Sequence, residues 1–281
     1  MTFDTVMMVD WSGGNDRGLR PKRDAIWTCL AGDAPRYHRN RQVAERYLTH
    51  TLRDHATQGM RTLVGFDICF GYPLGFAKAL TGSCDTLALW DWFEAQVQDA
   101  PEVNNRFDLA GEINARLPGV GPFWGNGLKR DITDLPRKGR ARNGHGLPEH
   151  RAADAAMKGA FSPWQLAGAG AVGSQVIMGL PLLSRLRRDL GPSVSVWPFQ
   201  PVDTPIVLAE VFLSLLGSLP TQGEDIRDAS QVRTYANLFA QAPTELMDRM
   251  LDVRPNEEAW TLGIGFEGEL RGFMPRVSLA P

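Results

Sequence analysis

Two apolar runs in this chain end on an aspartate: Thr5-Val6-Met7-Met8-Val9-Asp10 and Thr62-Leu63-Val64-Gly65-Phe66-Asp67. Short apolar runs bounded by turn formers read as buried strands. A carboxylate at the last position of such a run is costly to desolvate unless it finds a partner. Ligands of open α/β sheets bind beyond the carboxyl ends of the strands. If the two runs are parallel neighbours, about 4.8 Å apart, Asp10 and Asp67 reach the same rim. Two carboxylates so close repel, and a divalent cation is the usual resolution. Each acid taken alone could simply cap the loop after its strand. Their common position in two similar runs argues for a shared site.

The elements around these runs follow from periodicity and turn chemistry. Residues 12–24, rich in turn formers and charge, connect the first run to a second strand at 25–31 and a short third at 34–38. Asn40 is placed to cap a helix to about Gln58, with Val43, Tyr47, Leu48 and Leu52 at helical spacing and Gly59 as its stop. The opening order is therefore three strands, a helix, and the strand at 62–67. The last clear strand candidates are 194–199 and 206–212, the latter carrying Glu210 in an apolar run where it too asks for a partner. Ser214–Gly223 reads as a loop, followed by a helix from about Asp225 to Gln241. Asp228 stands one turn before Val232, on the inward side of that helix. An Asp in a first turn also offsets the helix dipole, and Glu224 and Asp225 compete with it for a site role. Residues 256–266 read as a closing strand or tail.

The middle of the chain has a different character. Phe70–Pro73 is a loop held by Gly and Pro, helices are expected at 85–98, 105–116 and 174–189, and Gly121–Gly125 forms an aromatic turn. Residues 129–151 carry seven Lys or Arg against three acids, which suggests a phosphate-binding flap or, more plainly, a solvated loop. Gly168–Gly173 matches GxGxxG spacing, but no convincing strand precedes it, so a glycine-rich lead into the next helix is the better reading. Ser12 and Gly13 in the first turn, Tyr72, Trp124, Gly170 and Ser174 are the candidate substrate-pocket residues. Trp124 and Trp164 could stack bases, although core packing is the plainer role for both.

The chain has 281 residues, 43% hydrophobic and 22% charged, which fits one large globular domain or a domain with a big insertion. Its net charge of -2 gives no global signal for nucleic acid. Cys29, Cys69 and Cys84 form neither a zinc pattern nor a disulfide framework. With no signal-peptide pattern and no apolar run near the roughly 18 residues of a membrane helix, a cytoplasmic protein with no membrane partner is expected. Nothing in the residues sets the oligomeric state.

Val9-Asp10-Trp11-Ser12-Gly13, then Ile26-Trp27, Gly65-Phe66-Asp67, Phe70-Gly71-Tyr72-Pro73, Ala209-Glu210-Val211 and the Asp228 helix together resemble the DUF429-like predicted nucleases of the ribonuclease H-like superfamily. Asn105-Arg106-Phe107, Gly121–Gly125, Trp164-Gln165-Leu166 and Gly173-Ser174-Gln175 are similar to a bacterial subgroup. The resemblance implies a mixed five-stranded α/β sheet in order 3-2-1-4-5, with residues 1–69 and 194–281 as core and 70–193 as a mainly helical insertion. It also implies acids at the ends of strands one and four and in the last helix. Asp10, Asp67 and Asp228 fill those positions, with Glu210 as a fourth candidate catalytic residue and metal ligand. Hard oxygen donors without nearby Cys or His favour Mg²⁺ or Mn²⁺. The expected function is a metal-dependent nuclease or phosphodiesterase acting on nucleic acid or a nucleotide. The alternatives are a nucleotide phosphotransferase, a role in molybdopterin guanine dinucleotide synthesis (a label some members carry), and a non-catalytic binding protein on the same fold.

Overall fold

A computed structural model describes residues 2–217 and 224–274. The strands are β1 (Thr5–Asp10), β2 (Ile26–Leu30), β3 (Arg36–His38), β4 (Thr62–Asp67), β5 (Val194–Val196) and β6 (Ile206–Glu210). They form one mixed sheet in the order β3-β2-β1-β4-β6-β5. β1 is antiparallel to β2 and parallel to β4, and β6 runs parallel to both β4 and β5. The expected five strands in order 3-2-1-4-5 are thus corrected to six. The segment at 194–199 pairs over only three residues and sits outside β6 as an edge strand.

Among the described residues there are nine α-helices. α1 (Arg41–Thr57) starts where Asn40 accepts a hydrogen bond from the Val43 amide at 2.9 Å. α2 (Phe76–Thr81), α3 (Thr86–Gln96), α4 (Arg106–Asn114), α5 (Ala152–Ala156) and α6 (Gly173–Leu190) occupy the region expected to be helical. α7 (Arg227–Ala240) carries Asp228, and α8 (Thr244–Leu251) and α9 (Glu267–Gly272) follow it, so Asp228 is not on the last helix. The expected Ser214–Gly223 loop lies outside the described residues from 218 onward. The expected tail at 256–266 touches the sheet as a parallel bridge from Thr261 to Glu210.

The sheet separates two apolar clusters. Met7, Val9, Val64, Phe66, Ile206 and Leu208 face one way, among residues of α1, α3 and α6. Val6, Met8, Leu63, Val207 and Ala209 face the other, among residues of α7 and α8. This alternation is the two-residue period of a strand. Residues 70–193 share the first cluster with the sheet, so the insertion is packed onto the sheet as part of its core. Among the described residues no helix is long and apolar enough to cross a membrane.

Candidate active site

The two-residue period decides which acids meet. β1 and β4 are in register, with Asp10 opposite Asp67. Both follow the parity of Val6, Met8 and Leu63, so both turn toward the α7 face. Asp228, in the first turn of α7, joins them in lining a cleft of about 560 Å³. Glu210 is in register with Phe66, one residue short of Asp67, and shares the parity of Ile206 and Leu208. Its side chain therefore leaves from the opposite face. The expected convergence of four acids is corrected to Asp10, Asp67 and Asp228, without Glu210.

Glu210 is engaged on that opposite face. Arg151 donates two hydrogen bonds of 2.7 Å to its carboxylate, the Phe70 amide donates one of 2.7 Å, and the Thr261 hydroxyl one of 2.6 Å. Arg151 also pairs with Asp154 at 2.7 Å, and all three side chains are buried. Both Glu210 oxygens are filled, which removes it as a metal ligand and explains why an acid can sit in a buried run. A smaller cavity of about 210 Å³ beside this cluster adjoins the main cleft through Asp67 and Gln175.

A fourth acid of the cleft was not singled out by the sequence. Asp24 lies just before β2, with a left-handed backbone (φ 52°) that Asp tolerates better than most residues. Its amide donates to Asp228 at 2.7 Å, and its carbonyl accepts from the Ser12 hydroxyl at 3.2 Å. The available signal was topological. The residue entering the second strand of a hairpin stands at the rim where the first strand ends. Glu224 instead pairs with Arg233 at 3.0 Å, and Asp225 is exposed.

The loop after β1 is held from two sides. A Cβ on Gly13 would lie 2.6 Å from the backbone of Ser174, so only glycine lets this turn rest against the start of α6. Arg41, buried and paired with Asp99 at 2.5 Å, donates to the carbonyls of Ser12 and Gly14. Ser12, Gly13 and Ser174 do line the cleft.

The other three pocket candidates do not line the cleft. Tyr72 is buried among Phe76, Phe93, Phe123 and Trp164, its ring 5.0 Å from that of Trp164. Trp164 is likewise buried, which removes it as a base-stacking platform. Trp124 lies under the Arg142 guanidinium, 5.4 Å from the ring centre. Gly170 packs on Phe161, while its neighbour Ala171 reaches the cleft. The phosphate-flap expectation for 129–151 is corrected as well, since no residue of that segment lines the main cleft. Arg130, Arg137, Arg142 and Arg151 pair with Asp108, Asp131, Glu149 and Asp154 respectively. The GxGxxG stretch leads into α6 with no strand before it.

Charge in the cleft is unbalanced. Burial raises the proton affinity of Asp10 well above the carboxylate range, and Asp67, Asp228 and Asp24 add to it, with Arg227 opposing. Asp67 is pushed up to about 7 by burial, with Glu210 and Asp228 adding to the rise and the Leu213 amide opposing it. Asp228 is raised mainly by burial, against the Asp24 amide. No ion pair engages Asp10, Asp67 or Asp228 among the described residues. In the same set no group of three or more His, Cys, Asp or Glu side chains is disposed to hold a metal ion. Comparisons with protein-family models, curated proteins and solved structures found no match to this chain.

Proposed function

We propose that this protein is a divalent-metal-dependent hydrolase of phosphodiester bonds, on a sheet of ribonuclease H-like plan. One observation carries the reading. Asp10 and Asp67 end adjacent parallel strands in register, on the face where Asp228 enters, and among the described residues none of the three has an ion-pair partner, although Arg227 also lines the cleft. A structural role would call for a partner of the kind Glu210 has in Arg151.

The donor set fits Mg²⁺ or Mn²⁺ in kind. It offers hard carboxylate oxygens, recessed and mutually repelling, and Asp10 accepts no hydrogen bond among the described residues. Asp10 and Asp67 would be the central ligands and Asp228 the third. As they stand, the three do not form a group disposed to hold an ion, so these side chains must draw together when an ion binds. Such an ion supplies an activated water and stabilises the leaving oxygen. The chain itself holds and aims the acids. The Asp24 amide fixes one Asp228 oxygen, and Arg41 fixes the Ser12–Gly14 turn beneath the cleft.

Thermal melts with and without millimolar Mn²⁺, paired with hydrolysis of bis(p-nitrophenyl) phosphate, test the reading. The wild type should gain stability with Mn²⁺ and turn over the ester, and Asp10→Asn should lose both. A wild type that neither shifts nor turns over would exclude the metal site.

A further inference from the structure

Beside the acid-lined cleft lies a second cavity of about 500 Å³, which meets it along Gly14, Arg106, Phe107 and Leu128. Two of its arginines are short of partners. Arg106, the first residue of α4, donates from Nε to the Ser174 hydroxyl at 3.0 Å and from Nη1 to Asn104 at 2.6 Å. Among the described residues it has no carboxylate partner, and its Nη2 has no acceptor. Arg17 has a buried Nε with no acceptor and no ion pair in the same set. The neighbouring cations are spent elsewhere: Arg41 is bound to Asp99, Arg39 to Asp16, and Arg130 to Asp108. Of the two acids on the cavity wall, Asp108 is held by both Arg130 contacts, and Glu102 bears on Arg39.

An unpaired, half-buried guanidinium is as costly as an unpaired carboxylate. Arg106 is lowered to about 10, mainly by burial and with the charges of Arg41 and Arg17 adding, against Asp99. Where the two cavities meet, Arg106 is therefore without a counter-charge among the described residues. A planar fork with free N–H groups matches a phosphate.

We infer that Arg17 and Arg106, with Asn104 and Ser174 fixing Arg106, form a subsite for a second phosphate of the substrate, next to the phosphate held at the acids. This rests on the phosphodiester reading of the cleft and narrows it to substrates with at least two phosphate groups along a chain. The Ser174 hydroxyl that holds Arg106 is itself fixed, since it donates to the Leu166 carbonyl at 2.7 Å while accepting from Arg106.

Calorimetric titration in EDTA tests the subsite without any metal. Pyrophosphate and a single-stranded twelve-residue thymidylate are each titrated into wild type, Arg17→Gln and Arg106→Gln. Each substitution should weaken binding by about tenfold or more, as loss of a charge-assisted hydrogen bond does. For the strand, the slope of log affinity against log salt should shrink by roughly 0.7 per arginine. Tighter binding of the strand than of pyrophosphate assigns a polynucleotide, and the reverse a nucleotide-sized substrate; both support the subsite if they depend on the arginines. Arg17→Gln removes no hydrogen bond, so it remains a valid test even if Arg106→Gln unfolds. Wild type that binds neither probe, or variants that bind like wild type, would overturn the inference. Arginine-dependent binding without a Mn²⁺ shift would instead sink only the metal reading.

Discussion

Two acidic clusters flank one edge of the same sheet, and they have opposite fates. On the α6 face, Glu210 and Asp154 close on Arg151, with every Glu210 oxygen occupied. On the α7 face, Asp10, Asp67 and Asp228 are recessed and have no ion-pair partner among the described residues. Satisfied charges lock the 70–193 region to the sheet. Unsatisfied ones repel one another across the cleft. The contrast lies in the partners: the Glu210 carboxylate is buried and paired, whereas the cleft acids are half-buried and have no ion pair among the described residues.

The largest effect should come from breaking the satisfied cluster. Arg151→Ala leaves two buried carboxylates unpaired and should cost about 3–5 kcal/mol, read as a lower midpoint in urea unfolding. Glu210→Gln in that background should restore part of the loss, and Glu210→Gln alone should leave a Mn²⁺-induced rise in melting temperature intact.

The unsatisfied cluster should respond in the reverse sense. Asp10→Asn and Asp67→Asn remove repulsion, so without metal each should melt at or above the wild type. At a Mn²⁺ concentration of 100 times its Kd, wild type should gain about 2.7 kcal/mol, and neither variant should. Variants that keep the shift would make these acids structural after all.

A smaller effect follows from proton affinity. Asp67 rises from 3.8 toward about 7 on folding, so the folded state holds more protons than the unfolded state between those values. Its stabilising contribution is complete below about pH 4 and is lost as pH rises through about 7. Metal-free wild type should therefore lose melting temperature from pH 4.5 to about 7.5, and Asp67→Asn should flatten that slope. A slope unchanged in the variant would assign it to other groups.

The smallest effect is expected in the basic loop. Arg130 and Asp108 pair at 2.6 Å, but both are exposed to solvent. Arg130→Ala should change stability by less than about 1 kcal/mol in a denaturant melt, and it should leave the Mn²⁺ shift unchanged. A larger loss would mean the loop supports the fold more firmly than its exposure implies.

The sequence by itself determined the local elements. Alternating and apolar runs set β1, β2, β4 and β6, Asn40 set the start of α1, and helical spacing set α3, α6 and α7 to within a few residues. It also determined that Asp10 and Asp67 end equivalent runs, because strand length and turn chemistry are properties of neighbouring residues. The tertiary structure decided what those residues face. Register set Glu210 opposite Phe66 instead of Asp67, and a one-residue offset sends a side chain to the other side of a sheet. Packing sent Tyr72 and Trp164 into one aromatic cluster and spent the loop arginines on acids near and far in the chain. Hairpin closure brought Asp24 to the rim, and the approach of α4 to α6 brought Arg106 to Ser174, 68 residues away. Those outcomes rest on pairings between distant residues, which the local pattern of a chain does not encode.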